Sequence, residues 1–135
     1  MTSEKAEITV IIPTWNGRQL LARCLDSLGR QTVPCHALVV DDGSEDGSSS
    51  MLAEAYPWVD LLRLDRNQGF AVAVNRGLAV AETPFIALLN NDTETDSRWL
   101  EEGLSAFHAH PEIAFLASRI LCFHERDKLD SAGDC

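Results

Sequence analysis

The feature of this sequence that most constrains its fold is a short, unbroken apolar run that ends abruptly on polar and acidic residues. Residues 85–89 form such a run, and the polar segment 90–94 follows it directly. A second run, residues 37–40, ends in the same way on Asp41 and Asp42. Continuous apolar runs of this length are typical of parallel strands that helices cover on both faces. Because ligands bind outside the carboxyl ends of such strands, both polar segments are candidate binding residues.

The rest of the chain alternates between similar runs and segments with helical spacing. The pattern predicts strands at residues 8–12, 37–40, 58–64, 85–89 and 113–121, and helices at residues 18–29, 48–55, 70–81 and 97–108. Such alternation with short connections implies a mainly parallel sheet with right-handed crossovers. The acidic residues that follow strands two and four lie next to each other at the same end of the sheet if strand one lies between those two strands. We therefore predict an α/β fold, a Rossmann-like three-layer sandwich with strand order 3-2-1-4.

Composition and charge exclude several classes of partner. The chain has 135 residues, of which 45% are hydrophobic and 24% charged, as in an ordinary soluble globular protein. Its formal net charge of −10 repels nucleic acid phosphates and anionic membrane surfaces, because no cluster of Lys and Arg opposes it. We expect no nucleic acid partner. No apolar run reaches the roughly 18 residues of a membrane span, so membrane association is expected only through parts of the protein beyond this chain.

The cysteines and the two ends of the sequence give expectations about location and domain organisation. The four cysteines have no CxxC spacing, and the first residues, MTSEKAE, are not a charged-then-apolar leader. These features predict a reducing cytoplasmic location, with the inner face of the membrane as a further candidate. Residues 1–135 are expected to form a single domain. Because residues 122–135 have few apolar side chains, we expect that domain to be truncated from a longer protein, with a disordered tail as the alternative.

Other familiar nucleotide and metal motifs are absent. A dinucleotide-binding loop needs GxGxxG after strand one, but residues 13–17 contain one glycine, and no GxxxxGK[ST] occurs. The four histidines lack a spacing that would place them with Asp92. Two interpretations of the acidic strand ends stay open. They form turns and cap helices, or one carboxylate accepts the N–H of a pyrimidine while another holds Mg²⁺ or Mn²⁺ beside a diphosphate.

Four segments together carry a resemblance to a known family. They are VIIPTWNG at residues 10–17, VVDDGSEDGS at 39–48, NQGFAVAVNRGLAVAETPFIALLNNDT at 67–93 and DSAGD at 130–134. In this order and spacing the chain resembles the N-terminal half of the family 2 glycosyltransferases, and most of all the rhamnosyltransferase-like branch. The resemblance implies the GT-A fold and an inverting enzyme. Such an enzyme transfers a sugar from a nucleotide diphosphate donor to a glycan or lipid-linked acceptor, as in cell-wall or polysaccharide biosynthesis.

The resemblance also implies roles for individual residues. The positions that match the family's nucleotide-binding residues are Pro13, Thr14 and Asn16 under the nucleotide, Asp42 at the base, Asn67 and Gly69 near the sugar-phosphate, and Asn91 near the ribose. The family's DxD motif falls on residues 90–92, where only the last acid is kept, so Asp92 would hold the divalent metal. Glu94 is either a replacement oxygen ligand or a solvated loop acid. We expect Asp42 and Asp92 to be less than fully buried and to lie across one cleft.

The family's catalytic base lies in its C-terminal half, and no residue of this chain matches it. The resemblance therefore implies the donor-binding portion of a transferase, inactive by itself. A non-catalytic nucleotide-sugar-binding module is the alternative, and an acid downstream of Cys135 would distinguish the two. A phospho-acceptor receiver domain would need paired acids after strand one, which are absent. A sheet with an open edge also makes a second copy of the chain a candidate partner.

Overall fold

The structure is a computed structural model that describes residues 5–121 and 129–131. Its elements in chain order are β1 (Ile8–Thr14), α1 (Arg18–Leu28), β2 (His36–Asp41), α2 (Ser48–Ala55), β3 (Val59–Arg63), α3 (Phe70–Val80), β4 (Phe85–Leu88), α4 (Trp99–Ala109), β5 (Ile120–Leu121) and β6 (Leu129–Ser131). Each helix begins and ends within two residues of the bounds expected from apolar spacing. The chain divides into two compact units, residues 1–100 and 101–135, which are described separately.

The first unit is built on a four-stranded sheet with the order β3-β2-β1-β4. All three pairings are parallel, and Ile11 at the centre aligns with Leu38 of β2 and Leu88 of β4. The predicted α/β class and strand order are therefore confirmed. After β3 the chain returns to the far side of β1 to form β4. The point where the strand order reverses thus lies between β1 and β4, and ligands bind at such a point in open α/β sheets.

Helix α3 packs closely on one face of this sheet through its small residues. Ile11 and Val40 are fully buried on that face, and Ala73 of α3 joins them in one apolar cluster. A Cβ atom at Gly77 would lie 2.7 Å from Ile11 Cγ2. Because a larger residue would collide there, the Ala- and Gly-rich sequence of α3 allows the short distance between helix and sheet.

Helices α1 and α2 cover the opposite face. The buried apolar residues of α1 have the spacing of one helical stripe: Leu21, Cys24, Leu25 and Leu28. Side chains alternate along a strand, so Asp41 points away from the face of Val40. Asp41 accepts a hydrogen bond from Ser49 of α2, and Tyr56, directly after α2, donates to the Ala22 carbonyl of α1. Helices on both faces of the sheet give the three expected layers.

The second unit contains most of α4 and a small antiparallel pair formed by β5 and β6. The prediction of a strand over residues 113–121 is wrong for most of its length, because residues 113–119 are neither helix nor strand. Phe115 in this run is 90% exposed. An apolar run becomes a strand only with a partner in register, and composition does not specify that partner. The expectation of a single domain stays a prediction. Within the described part of the chain, no helix is long and apolar enough to cross a membrane.

Candidate functional site

The carboxyl ends of β1, β2 and β4 are joined at Thr14. Its backbone carbonyl accepts the N–H of Asp42 at 2.8 Å. Its hydroxyl accepts a hydrogen bond from Asn91 Nδ2, also at 2.8 Å. Thr14 itself is buried. The residues that follow three adjacent parallel strands are therefore tied together at the edge of the sheet where its strand order reverses.

The loop after β1 is shaped by the loop after β2. Asn16 has a φ of 48°, a left-handed conformation that Asn adopts more readily than most residues. Its backbone N–H donates to Ser44 Oγ at 2.9 Å, and its side-chain Oδ1 accepts the N–H of Glu45 at 2.8 Å. Pro13 is half-buried near the end of β1, where it pairs with Val40 of β2, so the strand extends two residues beyond the predicted end at residue 12. Asn16 thus fixes the path of the chain after β1.

Trp15 is a candidate that the sequence-based site lacks. It lies between Thr14 and Asn16 and exposes 54% of its surface. A large exposed aromatic ring in a polar loop can stack on the face of a base. The signal that could have identified it is an aromatic residue placed directly after a buried strand, within a loop bounded by Pro13 and Gly17.

Asp41 is fully buried and holds the loop that follows it. Its carboxylate accepts hydrogen bonds from Ser44 N–H at 2.9 Å, Ser49 Oγ at 2.8 Å and Arg63 Nη1 at 3.1 Å. Arg63 also donates through Nη2 to the Ser44 carbonyl at 2.9 Å. Because every partner belongs to the loop, to α2 or to β3, Asp41 stabilises the conformation of the segment that carries Asp42.

Asp42 is also buried, against the expectation that it is less than fully buried. It is 4% exposed, and its two oxygens accept the N–H groups of Gln68 at 2.7 Å and Gly69 at 2.9 Å. The physical reason is that the loop before α3 presents backbone donors, and Asp42 satisfies them. A carboxylate has about four lone-pair sites, so a further donor such as a base N–H is compatible with both bonds.

The loop before α3 also lies directly against Gly43. A Cβ atom there would come within 2.7 Å of the Arg66 carbonyl carbon, and a φ of 81° likewise favours glycine at this position. Gly69 has a φ of 99° and immediately precedes α3. Asn67 is exposed in the same loop. The structure therefore places Asn67 and Gly69 beside the turn that contains Asp42.

The segment after β4 carries the predicted metal-binding residues. Asp92 is exposed, as expected, and Asn91 is half-buried. The Asn90 carbonyl anchors the segment, since it accepts a hydrogen bond from Thr93 Oγ1 at 2.7 Å and a weaker one from Cys24 Sγ at 3.7 Å. Burial raises the pKa of Cys24 to about 11, so this thiol stays protonated at neutral pH and acts as a donor.

A divalent metal fits this segment if the ligand supplies part of its coordination. Within residues 5–121, no three His, Cys, Asp or Glu side chains form a potential metal centre. Mg²⁺ is commonly held by one or two carboxylates together with substrate phosphates and water. Asp92 offers one exposed carboxylate, and the side chain of Asn91 carries a neutral oxygen. Both are hard ligands suited to Mg²⁺ or Mn²⁺. Asp92 and Asp42 follow the two strands that flank β1, so they lie at the same edge of the sheet.

Asp46 connects the starts of α1 and α2. Its Oδ2 accepts the N–H of Arg18 at 3.0 Å, and its Oδ1 accepts the N–H of Ser48 at 3.1 Å and the Ser48 hydroxyl at 2.5 Å. Burial by itself would raise the pKa of Asp46, but the hydrogen bonds from Ser48 and Arg18 outweigh it and hold the pKa below its usual value. Asp46 and Arg18 also line a shallow depression beside Asn16 and Gly17.

Comparison with known protein families and curated proteins gives consistent matches. The profile described as Glycosyl transferase family 2 matches residues 9–132 of the chain. Glycosyltransferase AglE of Haloferax volcanii is 34% identical to it over 111 residues, which cover 78% of this chain and 36% of that protein.

Two solved structures show the same arrangement of strands and helices. S. aureus TarS 1-349 in complex with UDP-GlcNAc aligns with a TM-score of 0.72 and 25% identity, covering 78% of this chain and 32% of TarS 1-349. Mannosyltransferase PcManGT from Pyrobaculum calidifontis, in complex with GDP-Man and Mn²⁺, aligns with a TM-score of 0.68 and 26% identity, covering 78% of this chain and 33% of PcManGT. The chain thus spans about a third of the length of these relatives.

Proposed function

The chain belongs to glycosyl transferase family 2 and has the GT-A fold, and from this premise we propose that it is the donor-binding portion of an inverting glycosyltransferase. The donor is a nucleotide diphosphate sugar, the ligand class bound in both solved relatives. The observation that carries the proposal is the joining of three strand ends at Thr14, because it brings the nucleotide-binding and metal-binding candidates to one edge of the sheet.

In this proposal the nucleoside lies on the β2 side of that edge. Asp42 accepts an N–H of the base through a lone pair that Gln68 and Gly69 leave unused. Trp15 supplies an exposed ring on which the base stacks. Asn91 lies near the ribose. The remaining members of the nucleotide-binding set are Pro13, Thr14, Asn16, Asn67 and Gly69.

The diphosphate lies on the β4 side, where Asp92 is the metal ligand. A bound Mg²⁺ or Mn²⁺ would offset the negative charge that develops on the leaving diphosphate. An acidic chain with a net charge of −10 repels a bare diphosphate, so the exposed carboxylate of Asp92 serves binding by attracting the cation that screens it. The Mn²⁺ found with GDP-Man in PcManGT supports this assignment.

The reaction of the parent enzyme is an in-line displacement. An acceptor hydroxyl attacks the anomeric carbon from the face opposite the nucleoside diphosphate, which leaves, and a catalytic base takes the hydroxyl proton. No residue of this chain matches the family's base, so we expect the 135-residue chain to bind donor without transferring its sugar. The acceptor is a glycan or a lipid-linked saccharide, and the process is cell-wall or polysaccharide biosynthesis in the cytoplasm or at the inner face of the membrane.

A non-catalytic nucleotide-sugar-binding module is the second candidate. The observation that favours it is the sequence Asn90, Asn91, Asp92, which keeps one acid where the resembled motif has two. Assay of the full-length parent protein separates the two proposals. A parent that binds donor but neither transfers nor hydrolyses the sugar is a binding module.

Calorimetric titration of the chain with UDP, dTDP and GDP, each with and without Mn²⁺, tests the proposed function. We expect one of these nucleotides to bind, and to bind more tightly when Mn²⁺ is present. The matching nucleoside monophosphate is the control, and its affinity should respond less to Mn²⁺ because it lacks the second phosphate. Absence of binding by all three diphosphates would contradict the proposal.

A further inference from the structure

The hydroxyl group of Thr14 is directed at Asn91. Thr14 is 4% exposed, and its Oγ1 lies 2.8 Å from Asn91 Nδ2. Asn91 is the middle residue of the segment 90–92, which ends on the proposed metal ligand Asp92. The Thr14 hydroxyl therefore has a partner within the protein itself.

Gly17, in the segment after β1, lies beside the same amide group. A Cβ atom at Gly17 would lie 2.8 Å from Asn91 Nδ2 and 3.7 Å from Asn91 Cγ. Gly17 has a φ of −140°, outside the left-handed region in which glycine is specifically favoured. Glycine is therefore needed at this position for space and not for backbone conformation. Any side chain here would displace Asn91.

These two neighbours restrict the position of the planar amide of Asn91. Nδ2 faces Thr14 and Gly17. Oδ1, on the opposite side of the planar group, therefore faces away from both residues. Oδ1 is the atom able to ligate a cation or accept a hydrogen bond from a ribose hydroxyl.

We propose that Thr14 and Gly17 are positioning residues for the metal-binding segment 90–92 and that they act through Asn91. This inference rests on the proposed function and deepens it, because it gives the Thr14 hydroxyl the role of holding the metal-binding segment 90–92 in place. Thr14 and Gly17 should therefore affect the factor by which Mn²⁺ increases the affinity for a nucleoside diphosphate. We call this factor the metal-linked gain.

A pair of substitutions at Thr14 separates the hydroxyl from the shape of the side chain. Thr14→Val keeps the branched shape and removes the acceptor, whereas Thr14→Ser keeps the acceptor and removes a methyl group. For UDP or GDP, whichever binds the unmodified chain more tightly, we expect Thr14→Val to lower the metal-linked gain roughly threefold to tenfold. Thr14→Ser should retain it. In Thr14→Val, the affinity measured without Mn²⁺ should fall by a smaller factor than the metal-linked gain does.

A second pair of variants tests the space beside Asn91. Gly17→Ala should lower the metal-linked gain, because the new Cβ forces the Asn91 amide to move. Gly29→Ala is the matched control at the other end of α1, where a Cβ atom meets its nearest neighbours at an ordinary 3.5 Å. The effect of Gly17→Ala should also disappear in an Asn91→Ala background, since interacting residues give non-additive changes.

The outcomes distinguish this inference from the proposed function on which it rests. A metal-linked gain that is unchanged in Thr14→Val and in Gly17→Ala overturns the inference and leaves the proposed function intact. Equal loss in Thr14→Ser and Thr14→Val also overturns it, because the hydroxyl would then have no role. If the unmodified chain binds diphosphates with no metal-linked gain, the metal part of the proposed function is wrong and the inference falls with it.

Discussion

At the scale of single residues, the two adjacent acids that end β2 have different partners. Asp41 faces the α1 and α2 side and is held by Ser44, Ser49 and Arg63. Asp42 accepts the backbone N–H groups of the loop before α3. Both acids therefore build the site before either contacts a ligand. Of the two interpretations that the sequence left open, the structural one therefore applies to both acids, and nucleotide binding by Asp42 is the proposal.

Substitution of Asp41 tests its role in stabilising the loop after β2. Asp41→Asn puts an amide N–H₂ among three donors, so at least one buried hydrogen bond is lost and a donor is left unpaired. We expect the free energy of unfolding to fall by about 2 to 3 kcal/mol. Arg63→Gln should cost less, about 1 kcal/mol, because the Arg63 side chain is half exposed and solvent screens its charge. Urea denaturation measures both, and a larger effect for Arg63→Gln would contradict this ranking.

Several residue-level features lay beyond sequence reasoning because they depend on how distant loops approach each other. The sequence correctly placed an exposed Asp92 after β4, since a strand end followed by acids is a local signal. It did not predict the burial of Asp42, which arises from a loop 26 and 27 residues further along the chain. The contact between Gly17 and Asn91 likewise joins the ends of two strands that are far apart in sequence.

At the scale of elements, helix α3 depends on its glycine. Gly77→Ala would gain about 1 kcal/mol in helix propensity, but its Cβ would lie 2.7 Å from Ile11 Cγ2. Overpacking of a core typically costs about 1 to 3 kcal/mol, so we expect net destabilisation. Gly103→Ala in α4 is the matched control, because a Cβ there meets nothing within 4 Å. That variant should be stabilised by about 0.4 to 1 kcal/mol. Denaturation curves for the two variants that shift in the same direction would contradict the packing argument.

The starts of α1 and α2 depend on one carboxylate, and their stability should depend on pH. The folded-state pKa of Asp46 lies below its ordinary value of 3.8. Its stabilising contribution is therefore present above about pH 3.8 and is lost as the pH falls through the folded-state pKa. At pH 7 we expect Asp46→Asn to lower the free energy of unfolding by about 1 kcal/mol, because an amide nitrogen replaces one of the two oxygens that accept the N–H groups of Arg18 and Ser48.

Urea denaturation at pH 7 and at pH 3 measures this contribution. The difference between the unmodified chain and Asp46→Asn should shrink at the lower pH, because protonation of the Asp46 carboxylate makes that side chain neutral, as the Asn amide is at every pH. Glu45→Gln, at the neighbouring exposed acid, is the control and should change stability less at pH 7. A difference that grows on acidification would show that the Asp46 carboxylate does not hold these helix starts.

Elements differed in how well the sequence predicted them. Helices α1 to α4 carry their own signal, because apolar spacing and terminal Gly or Pro residues are local. Buried strands β1 and β2 were equally clear as apolar runs. Residues 113–121 are also mainly apolar, with Ser118 and Arg119 interrupting the run, but they form strand only at Ile120–Leu121, paired antiparallel with Leu129–Ser131. Strand formation depends on a partner elsewhere in the chain, so this error could not have been removed by inspecting the run itself.

At the scale of the whole molecule, the unpaired side of the edge strand β4 predicts self-association. Within the described residues β4 pairs with β1 alone, and its Ile86 and Leu88 are 37% and 54% exposed. An unpaired edge with apolar side chains invites pairing with a second copy. The net charge of −10 opposes association, and salt screens that repulsion. We therefore expect the chain to form dimers or larger species as salt concentration rises.

Light scattering of two lysine variants locates the surface involved. Leu88→Lys should keep the chain monomeric at salt concentrations where the unmodified chain associates. Leu61→Lys, on the opposite edge strand β3 and 40% exposed, is the matched control and should have less effect. A monomer under all conditions, or equal effects of the two substitutions, would show that β4 is not the associating edge.

The proposed function concerns the molecule as a whole, because it assigns a base to the Asp42 side and a metal-bound diphosphate to the Asp92 side of the carboxyl ends of the strands. Calorimetric titration of the preferred nucleoside diphosphate, with and without Mn²⁺, into the unmodified chain and three variants tests this assignment. We predict that Asp92→Asn abolishes the tightening by Mn²⁺, a loss of about tenfold to a hundredfold, and that the control Glu94→Gln retains it. Asp42→Asn should weaken binding both with and without Mn²⁺, because it also releases the loop at Gln68 and Gly69. If Asp92→Asn binds as tightly in Mn²⁺ as the unmodified chain does, the metal is held elsewhere and this assignment is wrong.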